Sequence, residues 1–497
     1  MNKKYLFATV LAVGTSVFTA CNKERLNDVP KDSIVAETAL TTPARIVAGV
    51  NGLYATIRSG TFYGGRYQVY NDIRGEDFQI ETSNLVTGAD VYQLNLANSA
   101  TAVQGLWAQA YLAINRINVF LEGMEATGTA TIGNAATSNA YIGEARFLRA
   151  LCYYSLLQLY AKPYIDNNGA NPGVPLRLTG NTGAGNYDLA RASVAQVYDQ
   201  ILQDLNFAET AVPVGAYATV GTVPSATVTV TRAHRNTVIS FKTRVLLTMQ
   251  RYNDVIIEAN KMVPTTAPFK ATSGVAHELQ ADLKTVFTNY TTTESILSMP
   301  FVAGVENPGG QNQLGYYWFQ NGSTPGVGEY AVSSLPNGIL SNPQWGAADK
   351  RRTDLLFARS NKFWVSKFPT GGQYQDYAPV MRWPEVLLNL AEARARTAAA
   401  AAVPDAQALA LLNAVHRRSD ATVTLAPATN AALIDQILTE RRIEFIGEGL
   451  RNIDLMRLRQ TIPAKQSVSA KAPTEQGYIW PISANELILN KLAVDNK

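Results

Sequence analysis

The chain has 497 residues, 43 Lys and Arg against 39 Asp and Glu, 46% hydrophobic residues, two cysteines and three histidines. So even a balance, with no massed basic tract, excludes an electrostatic nucleic-acid binder. Ordinary hydrophobic content at this length points to two or three domains or one extended core. Beyond the N-terminus no apolar run reaches the eighteen residues a spanning helix needs.

The first element is a leader. Lys3 and Lys4 precede an apolar run from Tyr5 to Leu11 that continues through Ala12, Val13 and Gly14, and Phe18-Thr19-Ala20-Cys21 closes it. This is the n-region, h-region and cleavage site of a signal peptide over 1–20. A cysteine directly after Thr19-Ala20 resembles the lipobox of a bacterial lipoprotein, with Phe18 standing where that motif most often has Leu. The resemblance implies that Cys21 is diacylated on its thiol and acylated on its new amine, anchoring the chain in outer-membrane lipid. One acyl chain, at about 0.8 kcal/mol per buried CH₂, holds only marginally, whereas three tether firmly. Cleavage removes two lysines and leaves 41 basic against 39 acidic residues. The polar stretch 21–38 reads as a tether. Only Cys152 then remains, so no intrachain disulfide can form. Its setting, Ala150-Leu151-Cys152-Tyr153, reads as a buried small hydrophobe.

Apolar spacing near 3.6 predicts helices at 43–57, 99–123, 139–160, 193–208, 235–251 and 252–262, then at 384–402, 405–418, 431–447 and 449–458. Short-linked helix pairs of this kind each leave an apolar face that must stack on a neighbour, which predicts a helical-repeat body. The consensus residues of tetratricopeptide repeats are absent. Three stretches break the pattern. Residues 59–98 interleave Phe62, Tyr63, Tyr67, Tyr70, Phe78 and Tyr92 with Gly, Asn and Thr. Residues 211–231 read as a small hairpin or pad. Residues 263–383 hold Pro, Gly and Asn throughout, with Trp318, Trp345, Trp364 and Trp383, and a structured excursion of that length usually carries function. The organisation expected is a first helical part over 39–262, an irregular region over 263–383 and a C-terminal helical part over 384–497, together one unit.

Three segments carry a family resemblance. The first runs from Gly143-Glu144-Ala145-Arg146-Phe147-Leu148-Arg149 to Leu159-Tyr160, with Gly173-Val174-Pro175-Leu176 beyond. The second is Met381-Arg382-Trp383-Pro384-Glu385 through Asn389-Leu390-Ala391-Glu392-Ala393. The third joins Glu440-Arg441-Arg442-Ile443-Glu444-Phe445 to Glu448-Gly449, Arg451 and Asp454 through Arg459, ending in Trp480-Pro481-Ile482. Their order and spacing resemble the SusD/RagB family of outer-membrane nutrient-binding lipoproteins of Bacteroidetes. The resemblance implies a mostly α fold: tetratricopeptide-like helix pairs in a right-handed superhelical body, with an irregular ligand-binding excursion containing short strands. It implies non-catalytic capture of oligosaccharides at the cell surface, or of peptides in some members, and delivery to a TonB-dependent, SusC-like outer-membrane transporter. The family's usual Asn-Pro-Gly-Tyr-like tail is missing after Asn490.

Sugar rings stack C–H faces on aromatic side chains and offer hydroxyls to amides and charged groups, so a site needs both on exposed loops. Two segments have that mixture. In 66–78 the candidates are Tyr67, Tyr70, Asn71, Asp72, Arg74 and Asp77, where Asp72 and Asp77 resemble family acids that often hold the ligand loop. In 312–322 they are Tyr316, Trp318 and Asn321; if that segment is extended, Tyr316 and Trp318 share a face. Trp345 and Trp364 are further candidates, whereas Trp107, Trp383 and Trp480 read as core. On this reading Trp318→Ala lowers affinity about 30-fold and leaves the helices intact.

The acids of the third segment read as structure. Arg441 continues the apolar stripe of its helix and so requires pairing, with Glu444 at i+3 in reach and Glu440 and Glu448 flanking. Arg382, Glu385 and Arg451 are candidates for the same network. A glycoside hydrolase built on Asp72/Glu76 or Glu76/Asp77 is the opposing function class. His234, His277 and His416 are scattered, with His234 and His416 reading as surface or capping residues. No metal-ligand spacing, P-loop, nucleophile elbow or dinucleotide fingerprint is present, and no cofactor is implied.

Overall fold

The Thr42 hydroxyl accepts a hydrogen bond from the Arg45 backbone N–H, and Pro43 presets φ in the first turn, so helix α1 runs Pro43–Ile57. Its Ile46, Val50, Leu53 and Ile57 are buried, as their spacing predicts. The structure is a computed structural model and describes residues 40–302, 306–319, 328–370 and 376–496. Cys21 and the tether lie outside the described residues.

α2 (Arg66–Ile73) comes next, then α3 (Thr101–Gly123) and α4 (Ala135–Tyr160). From Gly143 to Tyr160 every residue of α4 except Arg146 is buried, which makes it the central helix of the body. Cys152 sits there, fully buried, its thiol pushed up by desolvation. α5 (Val194–Ala211) starts on a capping box between Ser193 and Gln196 and packs along α4. α6 (Ser225–Thr231), α7 (Arg235–Thr248) and α8 (Tyr252–Ala259) complete the first part.

Short strands then alternate with loops. β1 (Phe78–Ile80), β5 (Tyr330–Val332), β7 (Lys362–Val365) and β6 (Leu356–Arg359) form an antiparallel sheet in the order β1-β5-β7-β6. β2 (Pro172–Pro175) pairs with β3 (Arg191–Ser193), and β4 (Ser295–Met299) with β8 (Ala378–Arg382). α9 (Leu314–Trp318) is a single turn facing the sheet. β8 runs straight into α10 (Trp383–Thr397), followed by α11 (Ala406–Ser419), α12 (Asn430–Glu444), α13 (Arg451–Arg457) and α14 (Ala484–Leu489). The protein is thus mostly α, with paired helices and a smaller strand-containing region. One continuous apolar core runs through both helical parts and the excursion, from Ile46 through Tyr154 and Trp318 to Trp480. Among the described residues no helix is long and apolar enough to cross a membrane.

Several expectations are corrected. The 59–98 stretch contains α2, all eight of whose residues are buried, so it has no polar face to give a helical period. The 211–231 pad makes only a Val220–Val223 bridge before α6, where Thr227 through Thr231 are helical despite their β-branching; packing overrides propensity there. The 314–318 run is helical rather than extended, so Tyr316 and Trp318 do not share a face. His234 and His416 are buried; His234 stacks on His277, and His277 on Trp383, with ring centroids 5.5 and 5.7 Å apart. The divergent tail still docks: the Asn496 side-chain amide donates to the carbonyls of Tyr160 and Trp480, and Asp495 accepts the Ile482 N–H.

Candidate functional site

The polar residues of the first aromatic segment turn inward. Asp72 accepts the backbone N–H of Gly449 at 3.0 Å and that of Arg451 at 3.4 Å, and burial pushes its carboxyl up to about 7. Gly449 has φ +82°, and a Cβ there would stand 2.5 Å from Gln68 Cα, so only glycine brings the two chains this close. Glu76 is bonded by Arg451 at 2.6 and 3.0 Å and lies 3.1 Å from Arg442, which also holds Asp77. Arg74 donates to Asn452 and to the Tyr478 carbonyl, while Asn71 donates to the Tyr67 carbonyl. Tyr67 packs edge-on against Phe62 and tilted against Tyr63, and Tyr70 against Trp480. Tyr67, Tyr70, Asn71, Asp72, Arg74 and Asp77, expected at a ligand, are therefore buried, and Asn71, Asp72, Arg74 and Asp77 tie their segment to the α12–α13 corner. With Glu76 and Asp77 clamped by guanidinium groups and Asp72 by backbone N–H groups, none of the suggested acid pairs faces an open cleft.

The tryptophans follow suit. Trp318 is 0% exposed and stacks on Phe78 with centroids 4.3 Å apart and planes 24° apart. Trp345 and Trp364 are buried as well, Trp345 beside the Arg352 guanidinium and Trp364 with its indole N–H directed at the Arg359 carbonyl. A ring enclosed on both faces offers no platform to a solute, so these three are corrected to packing residues. Asn321 lies outside the described residues.

Tyr316 remains half-exposed, and the sequence shows how it gets there. The 308–313 loop lies directly on Gly60 and Gly65: a Cβ at either would meet the Pro308 carbonyl oxygen at 2.0 Å or that of Asn312 at 1.7 Å. Tyr317 pins the loop from below, donating its hydroxyl to the Gln311 carbonyl at 2.6 Å. With Tyr317 and Trp318 committed to the core, Tyr316 and Phe319 point to the other side of the turn, three residues apart. Phe319 lies 5.6 Å from the exposed Phe357 of β6, and the exposed Gln311 amide reaches the Tyr316 hydroxyl. This strip of Tyr316, Phe319 and Phe357 beside Gln311 is the aromatic–amide surface of the excursion. Separately, Arg58 pairs with Glu306, donates to the Pro300 carbonyl and lies over Phe301, at the edge of a cavity of about 390 Å³ that includes Val220, Val223 and Met299. Periodicity could not have found Phe357 or Phe319, because both owe their exposure to the sheet and to the turn beside it.

The charged residues of the third segment sort into separate clusters. Arg382 bonds Glu294, Glu444 and Glu448; Arg418 bonds Glu294 and Glu444; Arg351 bonds Asp349, Glu440 and Glu444; Lys367 bonds Glu448. His416 Nδ1 lies 2.9 Å from Glu440. Arg441 does not take Glu444 but Asp454, at 2.9 Å, with Arg457 and Glu392 continuing that chain. Glu385 belongs to Arg244 and Arg451 to Glu76, outside both clusters. Glu294, Arg351, Lys367 and Arg418 were not foreseen because the pairs they make include Glu294 with Arg382 and Arg418, 88 and 124 positions apart, Arg351 with Glu440, 89 apart, and Lys367 with Glu448, 81 apart. Among the described residues no group of three His, Cys, Asp or Glu side chains is placed to hold a metal ion.

Comparison with known proteins accords with this architecture. Residues 27–237 match a family model described as starch-binding and associating with the outer membrane, and residues 311–497 match the SusD family model. SusD-like protein P2 of Formosa agariphila is 23% identical over 545 aligned positions, spanning 99% of each chain. A SusD superfamily protein from Bacteroides fragilis superposes with a TM-score of 0.78 at 31% identity, covering 92% of this chain and 100% of that one. A SusD-like carbohydrate-binding protein from Bacteroides vulgatus gives a TM-score of 0.74 at 19% identity over 91% and 97%.

Proposed function

This chain belongs to the SusD/RagB family, and from that premise we propose that it captures oligosaccharides at the cell surface without chemistry and passes them to a TonB-dependent, SusC-like transporter. Acylated Cys21 would hold it in outer-membrane lipid, with the helix pairs acting as a tetratricopeptide-like, right-handed superhelical scaffold for the excursion. The observation that carries the reading is the strip of half-buried Tyr316 and Phe319 and exposed Phe357 beside the Gln311 amide. Such rings stack on sugar C–H faces, and the amide and hydroxyl take ring hydroxyls. That Asp72, Glu76 and Asp77 are already engaged by N–H and guanidinium groups supports capture over hydrolysis by those acid pairs.

Calorimetry of the mature protein against a panel of plant, host and microbial glycans tests the ligand class. Tyr316→Ala and Phe357→Ala are each expected to weaken glycan binding about tenfold with the helical spectrum unchanged. Equal affinity in both variants would move the site off the strip. Peptide capture is the second reading, favoured by the apolar cavity beside Arg58 and Glu306; peptide binding with no glycan bound would establish it. For the partner, gentle extraction from the native membrane is expected to co-purify a large outer-membrane β-barrel. A pull-down free of any such barrel would count against the delivery step.

A further inference from the structure

Most buried arginines of the body are bonded to carboxylates, and the half-buried Arg191 contrasts with them. Its three donor positions go to the carbonyls of Gly173, Val494 and Pro172, and no described carboxylate lies within ion-pair distance. It stands in the wall of a cavity of about 420 Å³ under the C-terminal tail. Lys162 and Asn496 separate that cavity from a second, of about 470 Å³, between 93–96 and 471–481. The acid nearest Lys162 is Asp166, at 3.8 Å, and the Lys471 ammonium has no partner among the described residues. The two acids in the walls are already used by backbone. Asp495 accepts the N–H of Ile482 and Asn496, and Glu475 that of Ala472.

The rest of the lining is equally uncommitted. Gln93, Asn95 and Gln476 are exposed at the second cavity, and their side chains make no hydrogen bond to a described residue. Pro473, Pro481 and Leu96 give it an apolar floor. The neighbouring cavity beside α3, about 370 Å³, is as rich in amides, but those are spent on the loop that covers it: Asn115 donates to the Asn181 carbonyl, Asn118 to those of Arg177 and Thr179, and Asn490 to that of Leu189. Among the described residues, the double trough along the tail combines free amides, apolar side chains and three cations, of which only Lys162 has an acid within ion-pair distance, at 3.8 Å.

We propose that this trough is a second binding site, for an acidic saccharide whose carboxylate or sulfate groups meet Lys162, Arg191 and Lys471 while its hydroxyls take the free amides. Anions pair with cations more strongly in a concave, partly dehydrated setting than on an open surface, and here Arg191 is met by carbonyls alone and Lys162 by one acid at 3.8 Å. Burial pulls the Arg191 guanidinium down to about 10, as expected of a cation held among carbonyls, and a bound anion would reverse that shift. No lining residue is shared with the Tyr316 strip, so the site does not depend on the reading of that strip.

Calorimetry on the mature chain decides it, with oligogalacturonate and short dextran sulfate as probes and methyl-esterified oligogalacturonate and dextran as neutral counterparts. At least one acidic probe is expected to bind tenfold or more tighter than its neutral counterpart, and its affinity to fall steeply between about 50 and about 500 mM salt. Whichever probe binds assigns the acid group. Lys471→Gln and Lys162→Gln, both on partly exposed side chains, are each expected to cost about tenfold toward that probe. Tyr316→Ala should leave its binding unchanged. No acidic preference, unchanged affinity in both lysine variants, or loss of acidic binding in Tyr316→Ala would each overturn the proposal.

Discussion

Trp318→Ala is expected to lower folding stability by about 3–5 kcal/mol, the range for deleting a large aromatic from a packed core, where an exposed platform would lose only affinity. The indole is fully buried, stacked on Phe78 and within aromatic contact of Tyr317 and Tyr330. It packs where α12 turns into α13, with its Nε1 3.6 Å from the position a Cβ would take on Gly447. Removing it opens a cavity between the sheet and the C-terminal helices that no neighbour fills. The indole N–H has no hydrogen-bond partner among the described residues, so Trp318→Phe gives up no bond to them and keeps the stack on Phe78. That variant should cost about 1.5 kcal/mol or less. Urea unfolding of the two variants checks the ranking. A Trp318→Ala protein as stable as the parent would show that the indole is not a core element.

The helices were legible because their faces differ. α1 occupies the span its apolar spacing predicts, and α11 and α12 fall within a few residues of theirs, since each buries one side and exposes the other; α10 and α13, buried nearly all round, also fall within a few residues of their predicted spans. α2 was illegible for the opposite reason: Arg66 through Ile73 are all buried, so polarity carries no phase. The same fact explains the misplaced site. Aromatic rings interleaved with Asn, Asp and Arg describe a sugar platform, but equally a buried joint whose charged groups are met by distant partners, and composition cannot separate the two. Asp72 illustrates this, its acceptors taken by N–H groups 377 and 379 positions away. Tyr316 and Trp318 were told apart only by the turn, which sends one outward and the other inward. Arg441 shows the limit of spacing rules. Glu444 was in reach along the helix, but the reversal through Gly447 and Gly449 brings Asp454 against Arg441 and frees Glu444 for Arg351, Arg382 and Arg418.

Arg382→Leu should have the second large effect, about 3–5 kcal/mol, the usual cost of removing one partner from a buried ion cluster. Arg382 is 2% exposed and joins Glu294, Glu444 and Glu448 at the junction of β8 with α10. Leucine fills part of the volume but leaves Glu448 to Lys367 alone, and leaves Glu294 and Glu444 to share Arg418, with Arg351 on Glu444. Arg382→Lys restores the charge but not the fork that meets three carboxylates at once, so most of the loss should persist. The loss should also depend on pH. Burial by itself raises the Glu444 carboxyl, yet the guanidinium groups of Arg418, Arg382 and Arg351 outweigh it and hold Glu444 well below its ordinary value of 4.5. A carboxyl depressed in the folded state contributes stability above its unfolded pKa and loses it as pH falls toward the folded one. The parent should therefore weaken as pH drops below about 4.5. In Arg382→Leu the stranded carboxylates take up protons more readily, which relieves the unpaired charge. The stability gap between parent and variant should accordingly narrow from pH 7 to pH 4.5, as read from urea midpoints. A gap that is constant across that range would show that Arg382 contributes by packing alone, and that the carboxylates around it are balanced without it.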